Sequence, residues 1–218
     1  MQPYYQDESV TIWNADCRAV LPLIAPGTID LVLTDPPYGI SHRTGHIGAA
    51  WRGTEIAGDS STEVRDVMLQ WWGKRPALVF GSCKASPPSG HRMALVWDKG
   101  ELVGMGDLSL PWKPNWEHIY VFGSGFSGHR GSGVLHFPAI APVLGLYVHP
   151  NEKPIPLLKA LLLKAPNAQT ILDPFMGSGT TLRAAKDLGR KAIGIEISEA
   201  YCEIAARRMS QLAMELVS

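Results

Sequence analysis

Seven short runs of β-branched and aromatic residues recur along this chain in alternation with stretches of helical periodicity, and that alternation constrains its fold more than any composition can. The apolar runs are Val10 to Trp13, Ile29 to Leu33, Ala77 to Phe80, Met93 to Trp97, His118 to Phe122, Thr170 to Leu172 and Ala192 to Ile195. The helical stretches are Thr62 to Trp72, Ile155 to Lys164, Thr180 to Leu188 and Glu199 to Leu216. Strands that alternate with helices predict a mostly parallel α/β sheet. Several runs, Leu31-Val32-Leu33 among them, are apolar without a break, the pattern of a strand covered by helices on both faces. A length of 218 residues with 45% hydrophobic residues suits one core, so residues 1–218 are expected to form a single domain.

Two segments fall outside the alternation. Ser41 to Ser61 mixes Gly, His, Arg and Thr without a period, and the stretch from Gly123 is rich in Gly and Ser. Both are expected to be loops, inserted at about 41–61 and 123–135, and loops on such a scaffold tend to carry binding residues. The second reads equally well as a plain flexible linker.

Other features narrow the setting. No apolar run approaches the roughly 18 residues of a membrane span, and Met1 to Ser9 lacks the order of a signal peptide, so a cytoplasmic, membrane-free protein is expected. Cys17, Cys83 and Cys202 are widely spaced and the histidines show no ligand spacing, which predicts reduced thiols and no metal. Formal net charge is zero, unlike a protein that grips nucleic acid by bulk electrostatics. Between Ser41 and Gly133 ten basic residues face eight acidic ones, and a solvated mixed-charge surface accounts for that excess. Trp71, Trp72, Trp112 and Trp116 read as core or interface residues, and His129-Arg130 as a solvated pair.

Two motifs carry chemistry. In the first, the run ending at Thr34 passes into Asp35-Pro36-Pro37-Tyr38, a turn held rigid by two prolines. It lies at the carboxyl end of a strand, where open α/β sheets place ligands. The exocyclic amine of a base is a poor nucleophile because its lone pair is delocalised into the ring. Two acceptors, the Asp35 carboxylate and the Pro36 carbonyl, would localise that pair and aim it at a methyl donor. Tyr38 adds a flat face on which an extruded base can stack.

The second motif is Thr170-Ile171-Leu172-Asp173-Pro174-Phe175-Met176-Gly177-Ser178-Gly179-Thr180-Thr181, which reads as strand, glycine turn and helix start. No Gly-Lys-Ser/Thr follows, and Leu182 stands where a dinucleotide fingerprint has its third glycine, so a nucleoside without phosphates fits best. Glu196, at the end of the next strand, is placed to accept hydrogen bonds from ribose hydroxyls.

Asp-Pro-Pro-Tyr together with Asp-Pro-Phe-x-Gly-x-Gly resembles the amino-methyltransferase family of DNA methylases, which act on adenine N6 or cytosine N4. The catalytic motif precedes the cofactor motif, an order similar to the permuted β class, and the compact layout resembles solitary methylases carried by phages. The resemblance implies a Rossmann-like, S-adenosylmethionine-dependent fold with a seven-stranded, mostly parallel sheet, helices on both faces and circularly permuted motif order. By the same resemblance Asp35, Pro36, Pro37 and Tyr38 are catalytic. Asp16 and Cys17 hold the cofactor's adenine, His149 and Lys153 its methionine end, and Asp173, Phe175, Gly177, Ser178, Gly179, Thr180 and Glu196 the remainder, with Asp35 beside them. Ser198 stands where members often have Asp. Asp at the head of the first motif favours adenine; cytosine-N4 members more often have Ser. The expected partner is DNA, and the chain is a monomer or a homodimer. Cytosine-N4 methylation, an RNA or protein amide methyltransferase, and a non-catalytic or partner-dependent subunit are the alternatives.

Overall fold

The computed structural model describes residues 1–25, 27–40, 60–101, 103, 106, 108–139 and 152–211. Among them nine strands form one sheet: β1 (Tyr5–Gln6), β2 (Val10–Asn14), β3 (Leu31–Thr34), β4 (Ala77–Gly81), β5 (Met93–Asp98), β6 (Trp116–Phe122), β7 (Val134–His136), β8 (Thr170–Asp173) and β9 (Lys191–Glu196). Their order across the sheet is β1-β2-β9-β8-β3-β4-β6-β5-β7. The central run from β2 to β4 is parallel, while β6 is antiparallel to both β4 and β5.

The helices are α1 (Cys17–Val20), α2 (Glu63–Trp72), α3 (Ile155–Leu163), α4 (Thr180–Asp187) and α5 (Glu199–Ser210). Local chemistry sets several of their limits. Asp16 caps α1 by accepting from the Arg18 amide at 2.8 Å. α2 opens with Glu63 and Asp66 in its first turn and stops at Gly73, whose φ of 72° is left-handed. α5 places Glu199 first and Arg207 and Arg208 last, in accord with the helix dipole. No helix among the described residues is long and apolar enough to cross a membrane.

Period-two alternation divides the core between the two faces of the sheet. Leu31, Leu33, Phe80 and Ile171 point to one face, where Leu157, Leu158, Leu162, Leu182 and Cys202 of α3, α4 and α5 cover them. Val32, Val79, Leu172 and Ile195 point to the other, against Cys17 and Val20 of α1 and Met68 and Trp72 of α2. This double coverage is the reason β3 and β4 are buried at every position.

The seven expected strands are all present, but the sheet has nine, because two strands too short to show a pattern cap its edges. β1 turns back onto β2 through Asp7, whose Oδ1 accepts from the amides of Ser9 and Val10 at 2.8 and 2.7 Å. β7 overlaps the last two residues of the segment expected to be a loop, three residues being too few to show a strand period. Of the tryptophans expected in core or interface, Trp112 is not core, being 77% exposed, whereas Trp72 is core and donates its indole N–H to the Pro76 carbonyl at 2.9 Å. Most of the loop expected at 41–61 and the end of the helix expected to reach Leu216 lie outside the described residues.

Packing demands the glycine at position 194. A Cβ on Gly194 of β9 would stand 2.4 Å from Met176 Sδ and 2.7 Å from Leu182 Cδ2. Gly194→Val is expected to cost about 1–3 kcal/mol of stability through overpacking, read as a lower midpoint in a urea titration; an unchanged midpoint would count against this packing.

Candidate active site

Parallel register gathers chemistry on one edge of the sheet. Asn14 pairs with Glu196, Asp173 with Gly194, and Thr34 with Val79, so the carboxyl ends of β2, β9, β8, β3 and β4 stand side by side. Because β6 runs the other way, it brings its first residues to that edge: His118 pairs with Gly81, and Asp98 of β5 with Trp116. Asp16, Glu196, Asp173, Asp35 and Lys99, which follow or end strands, thus share a single border with Glu117, near the start of β6.

Asp35 is the residue after β3. Its Oδ1 accepts from the Tyr38 hydroxyl at 2.5 Å and its Oδ2 from Lys153 Nζ at 2.5 Å. Both donors also reach Glu117 Oε2, Tyr38 at 3.3 Å and Lys153 at 3.2 Å. Lys99 Nζ completes the cluster, 2.5 Å from Glu117 Oε1. The Lys153 side chain is only 6% exposed, while that of Asp35 is 25% exposed and can be met by a substrate. Burial raises the Asp35 carboxyl above the usual range, with Lys153 acting against that rise. Burial would also raise Glu117, yet the ammonium groups of Lys153 and Lys99 hold it below its ordinary value. Burial opposes charge on Lys153, and Asp35 and Glu117 overcome it and raise its pKa. Tyr38 is raised well above 10.0, first by burial and then by the two carboxylates, so its hydroxyl keeps its proton and donates.

The glycine turn joins β8 to α4. Gly177 and Gly179 are left-handed, with φ of 50° and 80°, and a Cβ on Gly179 would lie 2.8 Å from that of Ala205 in α5. Glu196 braces the turn, Oε2 accepting from the Gly177 amide at 3.0 Å and Oε1 from the Ser198 amide at 2.9 Å. Ser198 thus meets Glu196 through its backbone, where a side chain is not needed. Ser178 is buried and accepts from Arg208 at its carbonyl, 2.9 Å, and its hydroxyl, 3.1 Å. The same guanidinium pairs with Glu152 at 2.5 Å.

Asp173 ties the two motifs together. Its Oδ1 accepts from the Thr34 hydroxyl at 2.6 Å and from the Phe175 amide at 3.2 Å. The set of acceptors suits a nucleoside: acids at the ends of β8 and β9, left-handed glycines in the turn after β8, and Asp16 just beyond β2, the next strand out. The Glu196 carboxylate has lone pairs to spare beyond its bonds from the Gly177 and Ser198 amides.

Of the residues expected from sequence, Asp35, Tyr38 and Lys153 come together, as do Asp173, Gly177, Ser178 and Glu196 around the turn. Asp16 and Cys17 follow β2, with the Ala15 amide on the Glu196 carbonyl at 3.0 Å. Cys17 is buried and its thiol is pushed up to about 11 by that burial. Lys153, expected on the cofactor, has its ammonium on Asp35 and Glu117. His149 lies outside the described residues. Sequence reasoning missed the roles of Glu117, Lys99 and Arg208; for the first two the available signal was a charge next to a strand end, and for Arg208 only a basic residue in the last turn of a helix.

Asp173 also makes a pH-dependent contribution to stability. Burial raises it from 3.8 to about 6, so in that interval the folded chain holds a proton that the unfolded chain has released. The contribution is complete below about 4 and is lost as pH rises to about 6. Asp173→Asn should flatten part of the fall in stability across that window, measured by denaturant titration at several pH values; an equally steep fall would exclude Asp173 as its source.

Residues 88–207, more than half of the chain, match the family model of the N6/N4 DNA methylases. The chain is 27% identical over 250 residues to the type II methyltransferase M2.LlaDCHI of Lactococcus lactis subsp. cremoris, covering 96% of this chain and 93% of that one. Its fold resembles the PvuII DNA methyltransferase (cytosine-N4-specific), with a TM-score of 0.71 at 15% identity over 98% and 90% of the two chains. It also resembles M1.HpyAVI in its SAM complex, with a TM-score of 0.62 at 20% identity over 91% and 99%.

Proposed function

Since the chain belongs to the N6/N4 DNA methylase family, we propose that it transfers a methyl group from S-adenosylmethionine to the N6 amino group of an adenine turned out of DNA. The observation that carries the reading is the Asp35 carboxylate. It stands at the end of β3, a quarter exposed, and the hydrogen bond from neighbouring Thr34 to Asp173 ties it to the glycine turn.

In this reading the turn from Asp173 to Thr180 cradles the methionine side of the cofactor, with Phe175 against it, Glu196 takes the ribose hydroxyls, and Asp16 and Cys17 border its adenine. The bound cofactor supplies an electrophilic methyl group. Asp35 and the Pro36 carbonyl accept the two amino hydrogens of the target and so localise the nitrogen lone pair. Tyr38 lies beside Asp35, where its ring can meet the extruded base. The nitrogen pair forms the new N–C bond as the C–S bond of the donor breaks and its electrons stay on sulfur. The surplus amino proton passes to an Asp35 oxygen, whose basicity burial has increased. No cysteine nucleophile is required, in keeping with the raised thiol of Cys17.

Adenine is preferred over cytosine because Asp35, not Ser, heads the first motif. DNA methylated by the purified chain, digested to nucleosides and weighed, is expected to contain N6-methyladenine; N4-methylcytosine in its place would overturn the choice of base. Asp35→Ala should lower the transfer rate by about 10²–10³-fold or more while S-adenosylmethionine still binds by calorimetry. Turnover at the parent rate would remove Asp35 from the chemistry.

A further inference from the structure

Behind Asp35 the four groups Asp35, Lys153, Glu117 and Tyr38 close into a ring. Lys153 and Tyr38 each donate to both carboxylates, at 2.5 and 3.2 Å and at 2.5 and 3.3 Å respectively. We propose that Lys153 and Glu117 are positioning residues for methyl transfer, gripping the Asp35 carboxylate from behind so that it meets the amino group aimed and anionic. The inference rests on the amino-group reading above and adds to it two residues that act through Asp35.

Three observations carry it. First, the ring engages one lone pair on each Asp35 oxygen, which fixes the plane of the carboxylate and leaves its other lone pairs for a substrate. Second, Lys153 cannot swing away. It is 6% exposed, and its Nζ lies 5.2, 5.7 and 6.0 Å from the ring centres of Phe80, Trp97 and Tyr38. Third, the charges balance in pairs: Lys99 meets Glu117 at 2.5 Å, so Asp35 and Glu117 face two ammonium groups. Among the described residues, the charged or titratable groups that bear on Asp35 are Lys153, Glu117 and Tyr38, with Lys99 behind Glu117 and Asp173 on the adjacent strand.

The two residues act on Asp35 with opposite sign. Lys153 stabilises its anion, and burial with Glu117 disfavours it. Removing the ammonium should make Asp35 harder to ionise. Neutralising Glu117 removes a repelling charge and leaves Lys153 to Asp35 alone, so Asp35 should ionise more readily. A merely structural role has no such antisymmetry.

The experiment compares the parent with Lys153→Met and Glu117→Gln in two readouts. One is the pH dependence of single-turnover methyl transfer to DNA, whose acid limb reports ionisation of Asp35. The other is the pH titration of the Asp35 carboxyl carbon resonance in 13C-labelled protein, which needs no activity. Lys153→Met should move both midpoints to higher pH, by about one unit or more, and Glu117→Gln should move both to lower pH. The S-adenosylmethionine dissociation constant should change by less than about threefold in either variant, a value at which the cofactor makes no strong contact with Lys153. Should Lys153→Met not fold, the isosteric Glu117→Gln decides alone. Midpoints that stay in place, or that move in the same direction, overturn the inference. Opposed carboxyl shifts in the two variants, together with a parent chain that methylates no DNA, overturn only the methylation reading.

Discussion

The hydrogen bond from the Thr34 hydroxyl to Asp173 Oδ1, 2.6 Å long and buried, joins two neighbouring parallel strands at the point where each gives way to a turn. β3 leads to the Pro-Pro turn and β8 to the glycine turn, and neither turn could be placed relative to the other by loops alone. The bond sits between side chains that the sheet already fixes, so its geometry is inherited from backbone register. An acid that is buried and raised to about 6 is an expensive way to make such a link, since burial disfavours its charged form. The expense is reasonable where the same carboxylate must also order the Phe175 amide at the start of the glycine turn.

Much of this was legible before any coordinates. The unbroken apolar runs at β3 and β4, the glycines at 177 and 179 and the proline turn after Thr34 state local requirements, and local requirements are what sequence patterns record. The sites of Asp35, Asp173 and Glu196 followed from one rule, that ligands collect at the carboxyl ends of parallel strands. Glu117 and Lys99 escaped because they obey a different geometry. They stand on antiparallel strands, at a strand start and just beyond a strand end, and Glu117 finds Tyr38 at a distance of 79 residues along the chain, in a sheet order that no single segment reveals. Arg208 was hidden for a similar reason, since a basic residue in the last turn of a helix is ordinary. β1 and β7 were missed because two or three residues cannot show a period.

The cluster around Lys153 is a poor investment for folding. Replacing such a group of charges with apolar side chains of like volume is often neutral or stabilising, whereas removing one member leaves the others unpaired. The surrounding rings of Phe80 and Trp97 would make room for a purely apolar core there, and yet the sequence spends two lysines and two acids. On the proposed reading the charges are kept for what they do to Asp35, at 25% the more exposed of the two carboxylates.

The reversed direction of β6 has a consequence for how this chain could diversify. Parallel strands present their carboxyl ends to the ligand edge and return by helices across the faces, so changes in those returns disturb the core. β5 and β6 are joined instead by a hairpin connection that both leaves and re-enters the sheet at the ligand edge, between Lys99 and Glu117. Ladder pairing from Asp98 and Trp116 inward holds the two flanking charges whatever lies between them. That span, which carries the exposed Leu108, Leu110 and Trp112, can therefore lengthen, shorten or change its side chains at little thermodynamic penalty, leaving the chemistry beneath it untouched.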